Sequence, residues 1–228
     1  MSPSPTRLSL LFISLVIFSA SLHARIGESR STVERRVTSD NRGIIIDDED
    51  LMRHYLNQAK FKNALMGMND RGEMAVHENL DLTVGVYYKV VGDDRAFESQ
   101  LIQKSGRHAG QPVNNPAGWL YFVVYHKGKS VLEAYRHIGG ITEAEVNGLL
   151  ARNQESSNWA RGKLPEDQYP DKDYKPFLPQ NFYRADGKVL ANQDGDTLTV
   201  FMLEVDRHLS KTKQERESED APDSLAGF

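Results

Sequence analysis

The stretch LYFVVYHKGKSVLEAY, residues 120–135, decides the fold, because Gly128, Lys129 and Ser130 are the closing letters of a phosphate-gripping loop. As such a loop it would make the chain a nucleotide-binding α/β protein; as a turn it would join two antiparallel strands. A phosphate loop needs a further glycine five positions before Gly128 and a helix starting directly after Ser130. Position 123 is Val, and Ser130 is followed by Val-Leu-Glu-Ala-Tyr, a strand-forming run. Gly128 instead supplies the positive φ of a tight reversal. Residues 120–125 are apolar on both faces, as in a strand lying under a covering layer, and residues 131–135 return beside it.

Outward from this hairpin, the upstream run DLTVGVYYKVV, residues 81–91, reads as a third strand. Leu82, Val84, Val86, Tyr88 and Val90 alternate to one side; the other side, with Tyr87 and Lys89, is a candidate contact surface. Gly92-Asp93-Asp94 ends it, a helical turn is expected over residues 96–104, and residues 105–118 are loop by their Gly, Pro and Asn content. Downstream, GGITEAEVNGLLARN (139–153) predicts a helix. Thr142 and Glu145 have the spacing of a capping box, Ile141 can staple to Val146, and Val146, Leu149 and Leu150 form the buried stripe. Gly148 weakens that helix by about 1 kcal/mol relative to alanine.

Two shorter helices are expected before the first strand. Ser29 or Ser31 can cap one within residues 25–42; its Arg30, Arg35 and Arg36, answered by Glu28 and Glu34, read as a solvated face. Acidic residues crowd the start of the other, residues 48–62, where the helix dipole favours them. Residues 164–180 carry four prolines with Tyr169, Tyr174 and Phe177 among them. They predict a loop wrapped over one end of the core, with those aromatics as candidate partner contacts. After it, Asp186-Gly187 and Asp194-Gly195 mark further hairpins. Leu198, Met202, Val205 and Leu209 also fit a helical stripe, which makes a helix from about Asp206 the competitor to the last strand. From Lys211 the chain is charged and low in apolar content, which predicts a disordered tail.

The N-terminus has the three-part form of a secretory signal: Arg7, an apolar run over residues 8–20, and small residues ending at Ala24, with cleavage after Ala24 or Ser21. The run is broken by serines and is too short to suit a membrane-spanning anchor. The 228 residues include no cysteine, which excludes disulfides, a cysteine nucleophile and a lipid-modified cysteine. With a formal charge of −4, the chain has no general attraction for nucleic acid or anionic lipid. The seven histidines include no zinc-binding pair, Asp194 and Asp196 lack the other ligand positions of a calcium loop, and no serine-nucleophile turn or dinucleotide fingerprint occurs. Ser105 near His108 is the nearest approach to a Ser/His neighbourhood. No catalytic, metal or cofactor site is therefore expected.

The segments ARIGES (24–29), GWLYFVVYHKGKSVLEAY (118–135), ITEAEVNGLL (141–150), DGKVLA (186–191) and DTLTVF (196–201) resemble uncharacterised exported bacterial proteins. In those, a signal peptide precedes an Arg-Ile-Gly-Glu-Ser/Thr start. The resemblance spans most of residues 24–205 and implies export without naming an activity. The helix entry and the Gly-Lys hairpin are distantly similar to small envelope domains of the β-lactamase-inhibitor and outer-membrane-assembly-lipoprotein type, although the lipid cysteine of that relation is missing here.

These readings combine into an α+β expectation: an antiparallel sheet of hairpins with two or three helices packed on one face. Residues 1–24 form a signal peptide, 25–210 a single domain and 211–228 a charged tail. The expected role is a non-enzymatic binding or scaffold protein, periplasmic or secreted, with an envelope protein as partner. The alternative is a secreted hydrolase whose His and Asp residues meet only in three dimensions.

Overall fold

A computed structural model describes residues 26–39, 42–62, 66–68, 74–76, 82–90, 101–103 and 106–219. The signal segment, most of the helical turn expected over residues 96–104, and Ser105 lie outside them. In chain order the elements are α1 (Arg30–Thr38), β1 (Gly43–Ile46), α2 (Glu49–Leu56), β2 (Met66–Met68), β3 (Met74–Val76), β4 (Leu82–Lys89), β5 (Trp119–His126), β6 (Lys129–His137), α3 (Glu143–Arg152), β7 (Trp159–Arg161), β8 (Phe182–Arg184), β9 (Val189–Asp194), β10 (Thr197–Met202) and α4 (Leu203–Glu219).

Eight strands form one antiparallel sheet in the order β1-β4-β5-β6-β10-β9-β8-β7, with β2 and β3 paired separately. The opening stretch is its β5–β6 hairpin. Lys127 and Gly128 turn it with φ of 49° and 72°, the left-handed pair that a two-residue reversal requires. Ser130 is buried, and both its carbonyl and its hydroxyl oxygen accept from the Gly27 N–H, at 2.7 and 2.9 Å. The serine of the apparent phosphate motif thus holds down the chain that leads into α1.

The helix ends follow local chemistry. Ser29 caps α1, accepting from the Thr32 N–H, and Asp48 caps α2, accepting from the Leu51 N–H at 2.8 Å. In α3 the Glu145 carboxylate accepts from the Thr142 N–H at 2.8 Å while the Thr142 hydroxyl accepts from the Glu145 N–H, the reciprocal pair that the sequence predicts. α2 ends at Leu56, short of the expected Lys62.

The α+β class and antiparallel sheet are as expected; the helices, however, cover both faces. Val33 and Val37 of α1 pack with Val146, Leu149 and Leu150 of α3 on one side, over Tyr121 and Val123. Tyr55 and Leu56 of α2 and Leu209 of α4 pack on the other, with Leu120, Phe122 and Val124. The physical reason is already in β5: a strand apolar at successive positions exposes hydrocarbon on both sides, and each side needs a cover.

At the C-terminal end, strand and helix are both present in succession. α4 follows β10 directly and runs through Glu219, so the first part of the expected disordered tail is helical. Lys, Gln, Glu and Arg are good helix formers, and the preceding turns, anchored by buried Asp206 and Leu209, supply the nucleus that an isolated charged segment lacks.

Candidate functional site

The face under α1 and α3 is not fully filled. Between those helices, above β4, β5 and β6, lies an open cleft of about 760 Å3, within the range of small-molecule sites. Its floor is set by register. Tyr87 of β4 lies opposite Tyr121 of β5, which lies opposite Tyr135 of β6. Cross-strand partners on one face are close enough for rings to meet. The Tyr87 and Tyr121 centroids are 5.6 Å apart, and Tyr121 stacks on Tyr135 at 4.7 Å with 16° between planes. Gly85 makes room for this row, since a Cβ there would collide with the Tyr87 ring.

Arg36 and Val37 wall the cleft from α1, and Ala144, Glu145, Gly148, Leu149 and Arg152 from α3. Lys89 and Trp119 close one end; Trp119 stacks on its register partner His137 at 4.5 Å and 7°. Arg36 faces inward: its guanidinium lies over the Tyr121 ring, donates to the Tyr121 hydroxyl at 3.1 Å, and donates to Glu28 at 3.3 Å. Burial works against its charge, but the neighbouring Tyr121, Tyr135 and Glu133 more than offset that and raise its pKa.

Beside Tyr135, on the same face of β6, lies Glu133, fully buried. One carboxylate oxygen accepts from the Tyr135 hydroxyl, while Oε1 has no partner in hydrogen-bonding geometry among the described residues. Burial pushes the Glu133 carboxyl up, against the opposing influence of Arg36, Tyr135 and Tyr121. Burial, reinforced by Glu133, also holds the hydroxyls of Tyr121 and Tyr135 well above the ordinary tyrosine range. These phenols keep their protons, and their hydroxyls are already engaged by Arg36 and Glu133, so they are not poised as nucleophiles.

The cleft also departs from the chain's overall acidity. Arg36, Lys89 and Arg152 line it; Arg36 is paired with Glu28, and the lining carboxylate is Glu145, whose Oε2 accepts from Thr142 and whose Oε1 lies 3.6 Å from His137 Nδ1. The Thr142 hydrogen bonds lower the Glu145 pKa. Arg152 is exposed and makes no ion pair or hydrogen bond among the described residues.

The sequence-derived contact residues divide between the two faces. Tyr87 and Lys89 line the cleft. Tyr87 is fully buried, however, because α1 closes over a strand side that the sequence reading leaves open. Tyr169 and Phe177 pack half-buried on the opposite face, in the wrapping loop. Tyr174 is buried and donates to Asp206, which also accepts from the N–H groups of Phe177 and Leu178 at 2.9 and 2.6 Å. Asp206 on α4 thereby pins the loop, which makes Tyr174 a closure of the core instead of an open contact.

The carboxylates that suggest calcium are met by side-chain cations: Lys60 lies 2.8 Å from Asp194, and Arg136 donates to Asp196 at 2.7 Å. His54 pairs with Gln58 and His108 with Gln111. Sequence reasoning passed over Arg36, Trp119, Tyr121, Glu133 and Tyr135. Arg36 stands three residues after Val33 and beside Val37, on the inward side of α1, and Glu133 is a lone carboxylate inside an apolar strand; both signals were available. Compared with known proteins, the chain matches no family model, no curated protein and no solved structure.

Proposed function

We propose that this chain is an exported, non-enzymatic binding protein of the bacterial envelope, periplasmic or secreted, and that the cleft between α1 and α3 is where it binds. The observation that carries the reading is the cleft itself: about 760 Å3 of open space over a stacked tyrosine floor, rimmed by cations in a chain of net charge −4. The chemistry of the floor supports binding over catalysis, since burial raises the pKa of its tyrosines and keeps them as neutral donors. Export is supported by the N-terminal pattern of Arg7, apolar run and small residues. The hydrolase alternative draws less support: His137 stacks on Trp119, and its nearest carboxylate oxygen is 3.6 Å away.

The test is to recover the native protein from the envelope fraction, read its N-terminus, and weigh it intact by native mass spectrometry. The expected result is a chain beginning after Ser21 or Ala24 that carries a bound species released on unfolding. A chain that retains Arg7, or one that is always free of bound material, overturns the proposal.

A further inference from the structure

A chain without cysteine has only the thioether of methionine as a sulfur donor, and its methionines are not spread evenly. Three of the six, Met66, Met68 and Met74, fall within residues 66–74. Of the others, Met1 starts the chain, and Met52 and Met202 pack half-buried against the core.

Backbone register turns this clustering into a shared face. β2 and β3 pair antiparallel, apart from the large sheet, with Met68 opposite Met74, Gly67 opposite Ala75 and Met66 opposite Val76. Residues two apart in a strand share a face, and so do residues directly opposed across an antiparallel pair. Met66, Met68, Met74 and Val76 therefore belong to one face of the ribbon, and Gly67 and Ala75 to the other. Opposed positions lie about 5 Å apart and alternate positions on one strand about 7 Å, spacings that unbranched methionine can close around a single ion.

The residue type is also informative. A ribbon face built for packing draws on β-branched and aromatic residues, as the strands of the large sheet do. Methionine is a helix former, yet it takes three of the four positions on this face. The donors narrow the metal: zinc takes thiolate, imidazole or carboxylate, and calcium takes oxygen. Neutral, soft sulfur selects Cu(I).

We propose that the β2–β3 ribbon is a Cu(I) site with Met66, Met68 and Met74 as its sulfur ligands. The site is independent of the cleft between α1 and α3.

The test is competition for Cu(I) between the mature chain and bicinchoninate, a chromogenic Cu(I) chelator, under anaerobic reducing conditions. Native mass spectrometry with Ag(I), a soft ion that is not redox-active here, gives the stoichiometry. One ion per chain is expected. Met68→Leu and Met74→Leu should each weaken Cu(I) binding by at least about tenfold, since even changes behind the ligands of a metal site cost that much. Met52→Leu and Met202→Leu should leave it unchanged. Leucine conserves the volume of methionine, so all four variants keep the fold, and a ribbon that merely packs would show no difference among them. Absence of Cu(I) uptake at about 10 μM, uptake indifferent to the ribbon variants, or an equal loss in Met52→Leu would overturn the proposal.

Discussion

The two faces of the central sheet are built from the same strands and do different work. Beneath α2 and α4, β5 presents Leu120, Phe122 and Val124 to an apolar core. Beneath α1 and α3, the same strand presents Tyr121 and Tyr125, and β6 adds Glu133 and Tyr135. The face under α2 and α4 also buries a carboxylate, Asp206, but there the two oxygens accept three hydrogen bonds. The tyrosine face buries Glu133 with one oxygen that has no hydrogen-bond partner among the described residues, an arrangement that costs stability. The two faces therefore differ in how fully their buried carboxylates are satisfied.

The largest effect that would sharpen this contrast is expected on the face under α2 and α4. Phe122→Ala should cost about 3–5 kcal/mol in chemical denaturation, whereas Tyr121→Phe, across the sheet, should cost only about 1 kcal/mol because one hydrogen bond is lost. A cost below about 2 kcal/mol for Phe122→Ala would contradict its place in a close-packed core. Next, Asp206→Ala removes the acceptor for three donors of the wrapping loop and should cost about 3 kcal/mol. Limited proteolysis should then cut first within residues 164–180, and protection of that loop in the variant would contradict the pinning role of Asp206.

Glu133 gives the tyrosine face a pH signature. Its folded pKa is raised above the ordinary value of 4.5, so the folded chain holds this proton where the unfolded chain has released it. The resulting contribution favours folding below pH 4.5 and is lost as pH rises through the raised folded value. Asp196 has the opposite sign: burial acts against its charge, but hydrogen bonds from Arg136 and Thr197 hold its pKa down, and its stabilisation is lost on acidification. Subtracting the stability–pH curve of Glu133→Gln from that of the unmodified chain should isolate a difference that declines with rising pH. A flat difference would remove Glu133 from the account. A smaller effect, and one of opposite direction, is expected from Gly148→Ala, which should stabilise the fold by about 1 kcal/mol because no neighbour opposes the added methyl group.

What was legible in the sequence was local. The turn at Gly128, the hairpins at Asp186-Gly187 and Asp194-Gly195, and the Thr142–Glu145 capping box each depend on a few adjacent residues, and each formed as its chemistry requires. The cleft depends instead on register across three strands. Tyr87, Tyr121 and Tyr135 are distant in the chain and become neighbours only when β4, β5 and β6 align. The charged neighbours of Arg36 point to a solvated face, whereas its place in the helical repeat, three residues after Val33, points inward. The division of helices between two faces was half visible, in the doubly apolar β5, but the strand pattern does not say which helix takes which side.

The central claim, that the tyrosine face is a binding surface, can be tested within one molecule. The chain has two tryptophans: Trp119 closes the cleft, and Trp159 lies on β7 outside its lining. Their indole N–H resonances in a two-dimensional spectrum should separate when the species released from the native protein is added back, Trp119 moving and Trp159 holding still. Equal movement of both, or movement of Trp159 alone, would contradict the account.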